Sequence, residues 1–502
     1  MSAFLTTANG RAVSWKEVPF HRFEDFAGAI QEAVAKERRI SALFAMARSG
    51  RVGPIAVAVL ADDRAGQLLI GAADLPAERF PSLTPHCAQA HLFEREIAEQ
   101  FGIEPEGHPE NLPVRFAPRL DGDHAPRTIG VAEFHRVEGE SIHEVAVGPV
   151  HAGVIEPGHF RFQCHGEHVF ELQISLGYQH RGIEESMSGG PDRGALRRIE
   201  ALAGDTTVGH GLAYCQNLEA LGGLRPRPHA HFVRAIALEL ERLANHTGDL
   251  GALAGDVGYL PAASFCGRIR GDFLNLTAEL CGSRFGRGLL RPGGIRFAID
   301  GAKATDLAKR LSNARREVTE AVELMFASPS VLARFEGTGA ISSEAAELLG
   351  LVGPAARAAG LDRDARRDHA SGAFRFAQIP VATAVGGDVR ARAFVRWLEI
   401  QRSIRFLEEA LVALPAACAE ILDPRPPALR PDHLAASLIE GWRGEICHVA
   451  STGEDGRFDR YKVVDPSFHN WPGLALAMRG QQISDFPLCN KSFDLSYCGF
   501  DL

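Results

Sequence analysis

Residues 117–128 read APRLDGDHAPRT, a Pro-, Asp- and Gly-rich stretch that divides the chain into two parts with different hydrophobic periods. Before it, apolar residues come in short runs split by Gly, Asp and Arg: SALFAMAR at 41–48, PIAVAVLA at 54–61 and QLLIGA at 67–72. Runs of that length between turn formers read as strands. Residues 24–37 supply a flanking helix, and HLFEREIAEQF at 91–101 supplies another, stopped by Gly102. After the divide, residues 143–175 alternate and are rich in Gly and Pro, the pattern of antiparallel strands. From 192 onwards the period lengthens. Leu307, Leu311, Ala314, Val318, Val322 and Met325 form the stripe of an amphipathic helix. Asp388 is placed to cap a helix reaching about Leu411, with Val389, Ala393, Ile400, Ile404 and Leu407 inward. A further helix spans about 228–246 and carries Glu239 and Arg242 one turn apart. The expected class is α+β: a small N-terminal α+β domain over 1–118, a linker at 119–128, and a mostly helical bundle domain over 129–502 with a β-rich beginning.

Charge and cysteine usage exclude several functions. A net charge of −9 argues against nucleic-acid binding, which needs a basic face. No apolar run approaches about 18 residues, so no segment is expected to span a bilayer. The opening MSAFLTTANGRAVSWKE lacks a basic start followed by an apolar stretch, so secretion is not expected. The nine cysteines (Cys87, Cys164, Cys215, Cys266, Cys281, Cys418, Cys447, Cys489 and Cys498) form no CxxC pair. They are expected to be reduced, mostly buried fillers rather than a disulfide or zinc framework.

Four constellations carry chemical information. The first is Phe93-Glu94-Arg95-Glu96, Phe101-Gly102-Ile103 and Gly107-His108-Pro109, a helix, a glycine stop and a tight turn. On pattern alone it is a charged helix face with a loop. The second holds Arg136-Val137-Glu138-Gly139, Gly148-Pro149-Val150-His151, Gly158-His159-Phe160 and His180-Arg181-Gly182-Ile183-Glu184, imidazoles and carboxylates suited to moving protons near neutrality. Each histidine alone reads equally as a bond to a strand carbonyl. The third is EALAGDTTVGH at 200–210, in which Ala203, Thr206 and His210 fall at spacings of three and seven, one face of an expected helix. The fourth is the C-terminal DFPLCNKSFDLSYCGFDL, with Asp494, Ser496 and Cys498.

The first constellation resembles the signature EREIYDLFGI…GHP of the 30-kilodalton-type subunit of respiratory complex I, which implies a docking role. GPVH…FRF and GYQHRGIEE resemble the start of the fold shared by hydrogenase large subunits and the 49-kilodalton-type, quinone-pocket subunit of complex I. Arg443-Gly444-Glu445, Arg460-Tyr461-Lys462 and Asp465-Pro466-Ser467-Phe468-His469-Asn470-Trp471-Pro472 continue the match. The chain is therefore similar to the large subunit of complex I-related group 4 [NiFe] hydrogenases (formate hydrogenlyase and hydrogenase-4 type), in the form of a 30-kDa plus 49-kDa fusion. The resemblance implies that His151, with His159, lies near a quinone-like acceptor, and that Glu138 and His210 belong to the catalytic side.

The metal ligands are where the resemblance fails. The family's ERVCGxCxxxH puts its cysteines on Ala203 and Thr206, and DPCxxC puts its first on Ser496, with Cys498 one place short of the second. Methyl and hydroxyl groups do not replace the soft thiolates iron and nickel favour. Hydrogenases carry a cleavable tail beyond that motif, whereas four residues follow Cys498 here. The expectation is a chain without a NiFe centre or other bound cofactor, with an iron–sulfur cluster in a partner subunit and room for a quinone. It would be peripheral, on the cytoplasmic side of the inner membrane, against membrane subunits. The alternatives are an active hydrogenase with unusual ligands and a purely structural docking subunit.

Overall fold

The computed structural model describes residues 3–51, 53–120, 128–151, 155–416 and 426–502, so most of the 119–128 linker and Cys418 lie outside the described residues. The N-terminal strands are β1 (Leu5–Thr7), β2 (Ala12–Ser14), β3 (Phe20–His21), β4 (Arg39–Ala47), β5 (Pro54–Asp62) and β6 (Gln67–Asp74). They build a sheet in the order β1-β6-β5-β4, with β3 parallel to β6. The run of β4, β5 and β6 is nearly continuously apolar because both faces are covered. Helix α1 (Phe23–Ala35) packs Phe26 and Ile30 into this core, and α2 (His91–Phe101) ends where Gly102 takes φ +66°. A left-handed C-cap of that kind suits glycine, which has no Cβ to clash.

Three antiparallel strands, β7 (Ile142–Val147), β8 (His159–His165) and β9 (His168–Ser175), open the second part. The bundle follows: α3 (Thr207–Gly222), α4 (Pro228–Asp256), α5 (Leu260–Cys281), α6 (Gly301–Phe326) and α7 (Val389–Val412). The expected stripe of α6 is buried along its length, and the Asp388 carboxylate caps α7 by accepting from Ala391 N. A last sheet, β10 (His433–Glu440), β11 (Glu445–Thr452) and β12 (Phe458–Val464), leads into α8 (Pro466–Ala477) and α9 (Tyr497–Asp501).

The two sequence modules do not keep separate cores. Strand β2, from the first module, is the outer strand of the C-terminal sheet, ordered β12-β11-β10-β2. One apolar cluster joins Phe26, Phe44 and Phe93 to Phe160, Leu434, Phe468 and Tyr497. Helix α2, expected to be a docking face for other subunits, is wedged inside the chain instead. Phe93 packs on Phe468 at 5.0 Å. Glu96 binds Arg115 and Lys462 Nζ (2.6 Å to the lysine), and Lys462 also holds Glu184 at 2.9 Å. Glu96 is met by the chain's own Arg115 and Lys462, while Glu94 accepts from Ser82, Leu83 N and Thr84, and Glu99 accepts from Arg115 N and Ala117 N, so much of the segment's docking capacity is used internally.

A candidate proton-relay site

Helix α3 begins at Thr207, so Ala203 and Thr206 sit in the turn before it rather than on a helical face. Thr206 is the N-cap residue, with φ −126°, and Ala203 and Thr206 are almost wholly buried. The free amides of the first turn are taken by a carboxyl from α4: Glu241 accepts from Val208 N at 2.7 Å and Gly209 N at 3.1 Å. Burial pushes Glu241 up to about 8.

Segment 201–206 and the C-terminal segment 494–502 come together through shared partners. Arg443 makes a fork with both carboxylate oxygens of Asp205 (2.7 and 2.8 Å), donates to Thr206 Oγ1 at 3.3 Å, and also binds the Asp494 carbonyl. Its guanidinium lies 3.8 Å from the centre of the Trp442 ring. Arg181 donates to the carbonyls of Leu202 (2.7 Å) and Cys498 (3.3 Å). Of the positions that the resemblance assigns to ligands, Thr206 and Ser496 have their hydroxyls engaged elsewhere. Thr206 Oγ1 accepts from Trp442 Nε1 (3.1 Å) and donates to Asp205 (3.1 Å). Ser496 Oγ caps α9 by accepting from Gly499 N at 2.9 Å. Burial, with the Glu156 carboxylate beside it, pushes the Cys498 thiol up to about 12, away from the thiolate a soft metal would need. The residues present do not fit a nickel–iron centre.

Beside this junction, Asp205, Asn245, Asp249, Arg270, Lys491 and Asp494 line a polar cleft of about 410 Å³. Burial and the neighbouring Asp494 carboxyl hold Asp249 well above the usual carboxylate range, while Arg443 holds Asp205 below it despite its burial.

His210 is sealed in the interior and forms the middle of a row of side-chain hydrogen bonds. Tyr461 Oη meets His448 Nδ1 at 2.9 Å, His448 Nε2 meets His210 Nδ1 at 3.0 Å, and His210 Nε2 meets Asp465 Oδ2 at 3.0 Å. Burial and the facing His210 keep His448 neutral. With His448 neutral, the row is satisfied when Tyr461 donates to His448, His448 to His210, and His210 to the carboxylate. Such a row can pass a proton by shifting each hydrogen along its bond.

The other sequence candidates lie elsewhere. Glu138 is exposed on the coil before β7, whereas His210 is fully buried. His159 Nδ1 bonds the Gly148 carbonyl at 3.3 Å. His151 is half-buried, its ring 6.2 Å from Phe160, and its Nε2 has no hydrogen-bond partner among the described residues. Gly148, at φ +84°, admits no side chain, since a Cβ would lie 2.1 Å from the Gly158 carbonyl oxygen. Sequence reasoning missed the roles of His448, Tyr461, Asp465 and Arg443. The last three stood inside quoted motifs, but no local pattern shows that they meet His210 or Asp205.

Several buried groups titrate far from their ordinary values. Burial pushes His246 and His469 down to about 4. The folded chain keeps them neutral while the unfolded chain protonates them below about 6.5, so unfolded molecules bind more protons between about pH 6.5 and 4. Stability should therefore fall as pH drops through that window, by up to roughly 3 kcal/mol for each histidine. Glu241 contributes with the opposite sign, losing stability as pH rises toward 8. Urea midpoints across pH 4.5–7.5 should show the acid slope, and His469→Phe should flatten it.

Comparison with known proteins places this arrangement in a class. Residues 32–121 match the family model described as the 30 Kd subunit of respiratory-chain NADH dehydrogenase, and residues 256–433 match that of the 49 Kd subunit. The chain belongs to the family that unites the 49-kDa-type subunit of NADH dehydrogenase with the large subunits of complex I-related hydrogenases, here fused to a 30-kDa-type domain. Its relatives include formate hydrogenlyase subunit 5 of Escherichia coli, 29% identical over 446 residues (84% of this chain, 77% of that protein). The carbon monoxide-induced hydrogenase of Rhodospirillum rubrum is 29% identical over 358 residues (70% and 98%). A subunit of the NADH-quinone oxidoreductase of Clostridium beijerinckii is 30% identical over 355 residues (69% and 94%). Among the described residues no helix is long and apolar enough to cross a membrane.

Proposed function

We propose that this chain is the large-subunit-type component of a membrane-associated, complex I-like oxidoreductase assembly that works without a nickel–iron centre. The observation that carries this reading is the chemistry at the positions the resemblance assigns to ligands: a methyl at Ala203, hydroxyls already bonded at Thr206 and Ser496, and at Cys498 a thiol that burial holds protonated. Arg443 ties this turn to the C-terminal segment through Asp205, Thr206 and the Asp494 carbonyl. Electrons would reach the assembly through an iron–sulfur cluster of a partner subunit, with membrane subunits alongside and this chain peripheral on the cytoplasmic side. The buried Tyr461–His448–His210–Asp465 row then serves proton movement rather than metal ligation. Metal quantification of the complex purified from its native host tests this. Nickel well below one atom per chain is expected, and stoichiometric nickel would overturn the proposal and restore the hydrogenase alternative.

A second reading concerns the acceptor. His151 Nε2 is the one observation that favours it: a buried imidazole nitrogen without a protein partner among the described residues, next to an aromatic ring, is placed to meet a quinone-type carbonyl.

A further inference from the structure

A second, larger cleft lies away from the residues discussed so far. It encloses about 910 Å³ between the β1–β2 turn, helices α3 and α4, and the loop 369–375. Five arginines line it, Arg11, Arg225, Arg234, Arg375 and Arg430, against a single carboxylate, Glu219. Glu219 is already committed: Arg234 grips both its oxygens (2.6 and 3.2 Å), and Gly293 N donates to it at 2.8 Å. Arg11, Arg225, Arg375 and Arg430 are all exposed, and none of these four side chains makes an ion pair or hydrogen bond among the described residues.

Composition does not account for this. The chain carries 63 acidic against 54 basic residues, and several arginines elsewhere sit against carboxylates, as Arg39 does on Glu445 and Arg366 on Glu239. Four free guanidinium groups around one concavity raise a positive potential that draws anions in. Arg234 and Arg375 already act on a neighbour, adding to the burial that pushes His231 below its ordinary range. The lining also includes His369, 2% exposed, whose Nε2 bonds Asp63 at 3.0 Å and whose Nδ1 has no partner among the described residues.

We propose that this cleft binds a multiply charged, phosphate-bearing molecule, held by Arg11, Arg225, Arg375 and Arg430. Guanidinium groups match phosphate oxygens two at a time, and the cleft holds far more than a single ion. The phosphate is either part of a soluble molecule or the headgroup of a lipid, and the probes separate the two. The full-length chain is titrated calorimetrically with inorganic pyrophosphate at low salt, and separately sedimented with vesicles containing phosphatidic acid. Saturable pyrophosphate binding, weakened at least about tenfold in Arg225→Gln/Arg375→Gln and unchanged in Arg405→Gln on the exposed face of α7, is the expected result. Vesicle capture that needs the same arginines and is competed by pyrophosphate supports the proposal and identifies the lipid source. Without vesicle capture, the soluble source stands. Unsaturable pyrophosphate binding, or binding the double variant retains, overturns it. Binding of poly-glutamate but not pyrophosphate also overturns it, by assigning the cleft to an acidic protein segment.

Discussion

His151→Ala is expected to lower turnover of the intact complex by about a hundredfold while leaving complex yield unchanged. The residue follows the Gly148–Pro149 bend and packs its ring near Phe160, which fixes its position in the fold. Its Nε2 is buried without a partner among the described residues, and leaving a polar atom in that state costs free energy. Reduction of a quinone-type acceptor takes up a proton with each electron, and an imidazole is an apt donor. If His151 serves only the strand connection, the substitution lowers stability by about 1 kcal/mol and spares turnover. Activity and yield are therefore measured on the same preparation. Wild-type turnover in a fully assembled variant ends the acceptor reading without touching the proposal about the metal.

Arg443→Ala should destabilise the chain by about 2 kcal/mol, read as a shift of the urea midpoint at constant slope. Arg443 is 6% exposed and serves Asp205, Thr206 and the Asp494 carbonyl together, so its loss leaves the half-buried Asp205 carboxylate without a counter-charge. The Trp442 face also loses its cation. Adding Asp205→Asn should recover a large share of the loss, because the pair is removed rather than broken. A single-variant loss below about 1 kcal/mol would show that the fork does not organise the turn.

The chain's local patterns were sufficient to determine most elements. The 3–4 stripe of Leu307–Met325 became α6, the Asp388 cap became the start of α7, and Gly102 ended α2. These are decided within one or two turns of backbone, where period and capping act. The Glu239–Arg242 pair also formed, at 3.1 Å, although deep burial and links to Arg366 and Glu399 make it part of a core network rather than a surface pair.

What the sequence could not decide was where elements meet. Whether α2 faces a partner or its own chain depends on Lys462 and Arg115 arriving from distant segments. The helical face assigned to Ala203, Thr206 and His210 failed because the helix starts only at Thr207, where Glu241 from another helix supplies the first-turn acceptors. The row from Tyr461 to Asp465 depends on His210 and His448, which lie 238 positions apart in the chain. Capping and periodicity are short-range and so are written locally, whereas long-range ion pairs and hydrogen-bond rows exist only once packing has removed water and brought their members into contact.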